Sequence, residues 1–210
     1  NLLMHRILHR SKPTLLFTNE FALKMSEKNT YLKGLDKKLL ITCDSTERTK
    51  SEQLIPNKDK KYDFIFFGRV SLDKGFGELY SLFSSNTFTL VIVGNVDDDC
   101  NAELDQLLST GRVTHIPFLE KSELLKLINQ SRFSLIFSYW FDNLPNSLIE
   151  SYSQGVPVIC YDMGSFAEFI PSDFMSFYKT NYSNEDLREF MELDYITLQQ
   201  SVLKIHMDKF

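Results

Sequence analysis

The sequence predicts an α/β fold in which a parallel β-sheet is flanked by helices. After Lys61, short apolar runs alternate with segments of helical periodicity. Most of these runs are continuously apolar, which is typical of strands that are buried on both faces of a sheet. Strand–helix–strand repetition implies right-handed crossovers and therefore parallel neighbouring strands. Hydrophobic residues make up 43% of the chain, enough for a sizeable core.

The elements of this predicted sheet follow one another in strand–helix order. The predicted strands are Asp63–Phe67, Thr89–Val93, Arg112–Ile116, Phe133–Ser138, Pro157–Tyr161 and a weaker Met175–Tyr178. The predicted helices are Gly77–Ser84, Ala102–Leu108, Ser122–Gln130, Asn146–Gln154, Glu185–Leu193 and Ile196–Lys209. Ser122 is expected to cap its helix, and Pro145 is expected to begin the helix that follows it.

The first 60 residues have a different pattern. Helices are predicted over Leu2–His9 and Glu20–Leu32, and strands over Thr14–Thr18 and Leu39–Thr42, followed by a polar segment almost free of core residues. We therefore expect the tail of a second α/β domain plus a linker over residues 1–58, and a ligand-binding domain over residues 59–210. The chain opens on Asn1 within a predicted helix, so we expect an excerpt of a longer protein or a processed N-terminus.

Charge and composition exclude several classes of protein. The net charge is −5 without a long basic run, which argues against nucleic acid as a partner. The longest nearly apolar run, Phe133–Phe141, is too short to cross the ~30 Å hydrocarbon core of a membrane. Cys43, Cys100 and Cys160 form no C-x-x-C pair, so we expect free thiols in a reducing compartment.

Two cations follow the first strand of the predicted sheet. In the segment GRVSLDKG, Gly68 and Arg69 come directly after the strand, and Lys74 and Gly75 precede a helix. Ligands of open parallel sheets bind outside the carboxyl ends of the strands. Glycine allows a tight turn and a close ligand approach, while arginine and lysine suit phosphate oxygens. The alternative interpretation is a surface turn with solvated charges.

Two carboxylates accompany the loop and helix after the fourth strand. Asp142 precedes the predicted helix, and Glu150 lies on it eight residues later. The helix N-terminus, near Pro145, offers free N–H groups and a positive dipole end to an anion or a hydroxyl. Two acids at this separation are able to bind hydroxyls at two places on one extended ligand. Alternatively, Asp142 is a loop acid and Glu150 a solvated helix residue.

The D-x7-E spacing of Asp142 and Glu150 resembles the E-x7-E region of glycosyltransferase family 4, the "glycosyl transferases group 1" domain. The segment with Arg69 and Lys74 resembles that family's G-R-x4-K-G phosphate loop, and the resemblance covers about residues 61–170. It implies a GT-B fold, in which two Rossmann-like domains enclose a cleft and the second binds the donor. It also implies a retaining transfer from a nucleoside-diphosphate sugar, without a metal or any other cofactor.

The resemblance also implies roles for individual residues. Arg69 and Lys74, after Gly68, would hold the diphosphate, and Glu150 would hold the ribose hydroxyls. Asp142 would face the donor sugar, so Asp142 and Glu150 are the expected catalytic pair. The other expected donor contacts are the amides of Asn146, Ser147 and Leu148 near the sugar and phosphate, and Phe118 and Leu119 near the base.

The sequence departs from the family pattern in two respects. Asp142 stands where glutamate is usual, which shortens its reach by about one methylene. Gly164 and Ser165, followed by Glu168, stand where two glycines and a later glutamate are usual, which leaves the role of Glu168 open.

The expected function is sugar transfer to a saccharide or lipid-linked acceptor, in the synthesis of a bacterial surface polysaccharide or lipopolysaccharide. We expect a cytoplasmic protein, with peripheral association of the full-length form at the inner face of the membrane. The alternatives are a GT-B-fold sugar-nucleotide epimerase and a non-catalytic nucleotide-binding domain. A divalent metal at the acidic run Asp97–Asp99 is a further alternative, although carboxylates in a loop before a helix are commoner than a metal site.

Overall fold

The computed structural model of the 210-residue chain describes residues 9–40, 54–140, 145–170 and 177–209. Its main sheet has six parallel strands: β3 (Tyr62–Phe67), β4 (Leu90–Val93), β5 (Val113–Ile116), β6 (Ser131–Ile136), β7 (Val158–Tyr161) and β8 (Tyr178–Lys179). The strands lie in the order β5-β4-β3-β6-β7-β8, which confirms the predicted α/β class and parallel sheet. A separate two-stranded parallel sheet consists of β1 (Leu15–Phe17) and β2 (Lys37–Leu39).

Helices connect the strands and cover both faces of the sheet. They are α1 (Glu20–Glu27), α2 (Phe76–Phe83), α3 (Asn101–Ser109), α4 (Lys121–Asn129), α5 (Asn146–Ser153), α6 (Asn184–Met191) and α7 (Tyr195–Lys209). Short 3₁₀ turns occupy Thr30–Leu32, Asn57–Asp59, Leu72–Lys74, Asp98–Cys100 and Phe166–Glu168. No helix in the described parts of the chain is both long and apolar enough to cross a membrane.

Alternate side chains of the strands pack on opposite faces of the sheet, in three hydrophobic clusters among the described residues. In β3, Phe64 and Phe66 pack on one face with α2 and α3, while Ile65 packs on the other face with Ile128 of α4. Aromatic rings interlock on the first face, where Phe64 lies 5.4 Å from the ring of Phe83 at a steep angle. Burial on both faces explains why the strands are continuously apolar in sequence.

The predicted strands and helices of the main sheet are present, with ends that differ by a few residues. The predicted cap at Ser122 is wrong, because α4 begins at Lys121 and Glu120 occupies the N-cap position. Pro145 likewise stands at the N-cap of α5, one residue before the helix. The fourth predicted strand lies earlier, at Ser131–Ile136.

The prediction for the first 60 residues is only partly confirmed. The long helix predicted over Glu20–Leu32 is wrong beyond Glu27, because the Asn29 side chain accepts the Tyr31 N–H and starts a separate 3₁₀ turn. The second strand lies at Lys37–Leu39, slightly before its predicted place. Residues 1–8 and 41–53 lie outside the described residues, and the domain boundary at residue 58 stays a prediction.

Candidate nucleotide-sugar site

The candidate site lies where the strand order of the main sheet reverses. The chain runs outward from β3 to β4 and β5, and then returns to place β6 on the other side of β3. Loops after β3 and β6 therefore diverge from neighbouring strand ends. Crevices of this kind, at the carboxyl ends of parallel strands, are the usual ligand sites of open α/β sheets.

Glycine makes the close approach of these loops possible. Gly94, after β4, has a φ of +144°, and a Cβ there would lie 1.7 Å from the carbonyl oxygen of Gly68. No side chain fits between the two backbones, so the loop after β3 rests directly on the loop after β4. The ring of His115 adds to this contact, since its Nε2 lies 2.8 Å from the Gly94 carbonyl oxygen.

Arg69 is held at the mouth of the site by two carboxylates. Its terminal nitrogens lie 2.7 Å from an Asp73 oxygen and 3.1 Å from an Asp97 oxygen. The Ser71 hydroxyl, the Trp140 indole N–H and the Arg69 guanidinium together lower the pKa of Asp73 below its usual value. Asp73 is therefore an anion over the physiological pH range, and Arg69 keeps a fixed partner.

A cavity of about 480 Å³ opens between the loops after β3 and β6. Its lining includes Gly68, Arg69 and Lys74 from the first loop and Ser138 from the second. The ammonium of Lys74 lies 3.4 Å from the Ser138 hydroxyl oxygen. The structure thus brings both predicted phosphate-binding cations to one cavity, in a position to contact one anionic ligand.

The start of α5 closes the other side of this cavity. Asn146 and Ser147 line it from the first turn, and Glu150 lines it one turn further along. Leu148 does not share this position: its side chain is fully buried, and its N–H donates to the Pro145 carbonyl oxygen at 3.0 Å. One cavity is therefore lined by a helix N-terminus, a carboxylate and two cations.

A second cavity of about 320 Å³ adjoins the first and shares its lining at Gly68 and Arg69. Phe118 and Leu119, predicted near the base, lie in its wall, and Phe118 is 70% exposed. An extended ligand with a flat group in this second cavity would pass Arg69 before it reaches Glu150.

Two further acids were singled out in the sequence. Asp142 lies outside the described residues, so its role stays a prediction. Glu168 lies elsewhere, since its carboxylate accepts the N–H groups of Glu20 and Phe21 at the start of α1, at 3.1 and 2.5 Å. The acidic run at Asp97 contributes an ion pair to Arg69. In residues 9–40, 54–140, 145–170 and 177–209, no group of three or more His, Cys, Asp or Glu side chains is placed to hold a metal ion.

Sequence reasoning missed several residues of the site rim. Asp73 lies only four residues after Arg69 in the same loop, so an ion pair between them was open to prediction from the sequence. Asp97 carried no such signal, since it is 28 residues away in the chain. Tyr139 and Trp140 follow Ser138 after β6, and both donate a hydrogen bond to Asp73. Burial and the Glu78 carboxylate raise the pKa of Tyr139 to about 12, so it remains a neutral phenol.

The fold and this cavity define a Rossmann-like domain with a cleft, lined by Arg69 and Lys74, at its topological switch point. The sequence matches the family of "glycosyl transferases group 1" over residues 47–193, which is most of the chain. The chain therefore belongs to that family. A search of curated protein sequences finds no match to it.

Solved structures share the fold at low sequence identity. A glycosyltransferase from Rickettsia africae superposes with a TM-score of 0.73 at 13% identity, over 95% of this chain and 60% of its own. HepE from Anabaena, solved with UDP, gives 0.70 at 13% identity, over 93% and 59%. Sucrose-phosphate synthase from Thermosynechococcus elongatus gives 0.68 at 15%, over 94% and 54%. The fold is thus that of GT-B glycosyltransferases, and the chain spans little more than half the length of these proteins.

Proposed function

We propose that this chain is the donor-binding part of a glycosyltransferase that takes a sugar from a nucleoside diphosphate. The observation that carries the proposal is the joined pair of cavities, with Arg69 and Lys74 facing the first turn of α5 and Glu150. Two cations and a helix N-terminus match a diphosphate. Several similar structures were solved with UDP, which makes a UDP-sugar the first donor to test.

In the proposed binding mode, the base lies in the smaller cavity against Phe118 and Leu119. The diphosphate then lies between Arg69 and Lys74, and Glu150 accepts the ribose hydroxyls. Asp142 faces the donor sugar. The amides of Asn146 and Ser147 support the sugar and phosphate, and the amide of Leu148, which already donates within α5, contributes less.

The proposed reaction depends on the positions of Arg69, Lys74 and the N-terminus of α5. Departure of the nucleoside diphosphate builds negative charge on the phosphates, and fixed cations and N–H groups stabilise that charge in a site of low dielectric. In this mechanism Arg69 and Lys74 carry the leaving group without a metal or other cofactor. We further propose transfer with retention, in the synthesis of a bacterial surface polysaccharide or lipopolysaccharide on the cytoplasmic side of the membrane, with a saccharide or lipid-linked acceptor.

Sugar transfer also needs a second domain that binds the acceptor on the other side of the cleft. The small sheet of β1 and β2 supplies part of a second α/β domain in this proposal. Parallel sheets are usually covered on both faces, yet Leu16 and Leu39 of this sheet are exposed. Since positioning of two reactants is worth ~7–11 kcal/mol of the barrier, we expect the 210-residue chain to bind the donor and to transfer no sugar at a useful rate.

The experiment is a thermal-shift and calorimetric screen of UDP-, GDP-, ADP- and CMP-sugars, because a ligand of the native state raises its stability. Arg69→Ala is expected to weaken nucleoside diphosphate binding at least about tenfold, as expected for a lost charged hydrogen bond, while nucleoside binding changes little. Arg188→Ala, which removes a surface arginine paired with Glu185 at 2.8 Å, is the matched control. Equal effects of the two variants would contradict the phosphate assignment.

A product assay on the full-length parent tests the reaction class. Transfer to an acceptor without added divalent metal supports the proposal. Release of an epimerised sugar nucleotide would instead identify an epimerase. Strict Mn²⁺ dependence would support a metal site at the acidic run Asp97–Asp99. Robust glycosylation by the 210-residue chain alone would overturn the two-domain interpretation.

A further inference from the structure

Asp73 links two groups that the proposed donor site needs in fixed places. One of its carboxylate oxygens lies 2.7 Å from the Arg69 guanidinium and accepts the indole N–H of Trp140 at 3.0 Å. Its main-chain carbonyl accepts the N–H of Tyr139 at 3.0 Å. One residue of the loop after β3 therefore holds a cation of its own loop and the chain that follows β6.

Arg69 would have wide freedom without this contact. Its side chain is 53% exposed, and a long exposed arginine loses considerable rotamer entropy when a ligand fixes it. Asp73 and Asp97 each accept from a different terminal nitrogen, which sets both the position and the plane of the guanidinium. A guanidinium has more N–H donors than these two contacts use, so the remaining donors are available to phosphate oxygens.

Trp140 is fixed in a similar way. Trp140 is 61% exposed, so its orientation depends on the indole hydrogen bond to Asp73 more than on burial. A second contact joins the same segment to Lys74, since the Ser138 hydroxyl oxygen accepts the main-chain N–H of Trp140 at 3.3 Å and lies 3.4 Å from the Lys74 ammonium. The loops after β3 and β6 are thus tied together at the rim of the cavity.

We propose that Asp73 is a positioning residue of the donor site, which holds Arg69 for the diphosphate and Trp140 at the rim. The inference rests on the proposed function, because it assigns Asp73 a role toward that ligand. Its consequence is unusual for an acid beside an anion site. The negative charge of Asp73 repels a diphosphate. The diphosphate nevertheless binds more tightly when Asp73 is present, because Asp73 holds Arg69 in place.

The direction in which Asp73→Asn changes the affinity for UDP distinguishes a positioning role of Asp73 from simple charge repulsion. Asp73→Asn removes the negative charge and keeps an oxygen that accepts the Trp140 N–H, whereas Asp73→Ala removes both. If Asp73 positions Arg69, Asp73→Asn weakens UDP binding by about three- to tenfold through loss of a charge-assisted contact. If Asp73 only repels the ligand, the same variant binds UDP more tightly.

Asp99→Asn is the charge-matched control, since it removes a negative charge from the nearby acidic run Asp97–Asp99 without touching the 2.7 Å contact. Titrations are made at physiological and at high salt, because a Debye length of about 8 Å at physiological ionic strength falls as salt is added. The loss in Asp73→Asn is expected to persist at high salt. Asp99→Asn is expected to bind UDP at least as tightly as the native chain.

Trp140 supplies a readout that is independent of UDP, because it is the chain's single tryptophan. Its indole N–H gives one assigned resonance in a ¹H–¹⁵N spectrum. We expect this resonance to shift strongly in Asp73→Ala, less in Asp73→Asn, and not in Asp99→Asn. Melting temperatures of the three variants establish that they are folded.

Each outcome has a defined meaning. Weaker UDP binding by Asp73→Asn together with a shifted indole resonance in Asp73→Ala supports the proposal. Unchanged or tighter UDP binding by Asp73→Asn overturns it, as does an indole resonance that is the same in Asp73→Ala and the native chain. If the native chain binds no nucleoside diphosphate while the indole resonance still depends on Asp73, the proposed function has failed and the positioning role toward that ligand falls with it, whereas the contact itself stands.

Discussion

Gly75 packs directly on the main chain of Phe137. A Cβ built on Gly75 would lie 2.2 Å from the carbonyl oxygen of Phe137, and Gly75 has a φ of +80°. The two residues belong to the loops after β3 and β6, whose neighbours Lys74 and Ser138 line the cavity. This contact therefore sets the spacing of the two loops that build the candidate site.

Gly75→Ala is expected to lower the free energy of unfolding by ~2 kcal/mol or more. A left-handed backbone costs a residue with a Cβ ~1–2 kcal/mol, and the clash with Phe137 adds to it because the contacted atoms are main chain. Urea denaturation measures the change. UDP affinity is expected to fall as well, since the loops cannot keep their spacing.

Alanine substitutions at two other glycines distinguish the cost of backbone strain from the cost of a steric clash. Gly111→Ala shares the positive φ, +71°, but its Cβ would meet nothing within 4 Å, so only the strain remains. Gly77 lies in α2, where an added Cβ also meets nothing within 4 Å, and Gly77→Ala is expected to stabilise by ~0.5–1 kcal/mol. If Gly75→Ala lowers the free energy of unfolding no more than Gly111→Ala does, the loops after β3 and β6 move apart to accommodate the added methyl group.

Glu150→Gln tests the ribose contact. The variant keeps the size of the side chain and loses its charge and part of its acceptor capacity, so ribonucleotide affinity is expected to fall by about tenfold or more. Calorimetry with UDP and with an analogue that lacks both ribose hydroxyls completes a thermodynamic cycle. Removal of the hydroxyls should cost the native chain more affinity than it costs Glu150→Gln.

Glu103→Gln is the control for this cycle, because Glu103 lies in the first turn of α3 and has the same charge. It is expected to bind both ligands as the native chain does. Equal losses of affinity in the native chain and in Glu150→Gln, on removal of the hydroxyls, would show that Glu150 does not contact the ribose.

The sheet was predictable because its strands are unambiguous in sequence. Runs such as the one containing Phe64 and Ile65 are continuously apolar, and their short length favours a strand buried on both faces over a buried helix. Boundaries were less certain. Ser122 is a better N-cap residue than Glu120, yet α4 begins at Lys121, since tertiary packing outweighs a local preference worth ~1 kcal/mol.

The site was predictable only where its chemistry is local. Arg69 and Lys74 occur in one loop, and their placement at one cavity follows from the position of that loop after β3. The pairing of Arg69 with Asp97 depends on how β3 and β4 lie side by side, and no spacing in the sequence records it. The contact of Glu168 with α1 is still less local, because it joins residues almost 150 positions apart.

Glu168 is expected to anchor α1 to the main domain. Its carboxylate accepts the N–H groups of Glu20 and Phe21, which no helical carbonyl can satisfy, and the negative charge suits the positive end of the helix. Glu168→Gln should therefore loosen the start of α1. We expect hydrogen exchange at these two amides to accelerate by about tenfold, which corresponds to a lost charged contact.

The same Glu103→Gln variant serves as the control, since it removes one negative charge far from α1 in the sequence. Exchange at Glu20 and Phe21 should be unchanged in it. The amide of Ala22, which donates to the Asn19 side chain at 2.7 Å, should be affected less than its neighbours in Glu168→Gln. Equal exchange rates at Glu20 and Phe21 in the native chain and in Glu168→Gln would contradict the anchoring role of Glu168.

Lys60 is expected to make stability depend on pH in the alkaline range. Its ammonium donates to the main-chain oxygen of Asn129 at 2.6 Å and lies over the ring of Tyr195, 5.6 Å from its centroid. Burial lowers the pKa of Lys60 to about 8, from 10.5 for the unperturbed side chain. Between these values the unfolded chain binds more protons than the folded one, so the free energy of unfolding rises with pH.

Other buried groups act in the opposite direction. Burial raises the pKa of the Cys160 thiol, so its contribution to stability falls as pH rises through the thiol range. The measurement is therefore a comparison of variants, which share every other titrating group. Lys60→Met keeps the apolar stem and removes the charge. The native chain should gain stability relative to Lys60→Met between about pH 8 and 10, with a slope that approaches ~1.4 kcal/mol per pH unit.

Lys61→Met is the matched control, because Lys61 is the exposed neighbour of Lys60 and its ammonium lies over the ring of Tyr62. Urea denaturation at pH 7, 8, 9 and 10 gives the free energy of unfolding for the three chains. The native chain and Lys61→Met should change together with pH, while Lys60→Met lacks the rising contribution because the unfolded chain no longer takes up that proton. Parallel curves for all three would mean that Lys60 titrates alike in the folded and unfolded chain, and that the contact with Asn129 offsets the cost of its burial.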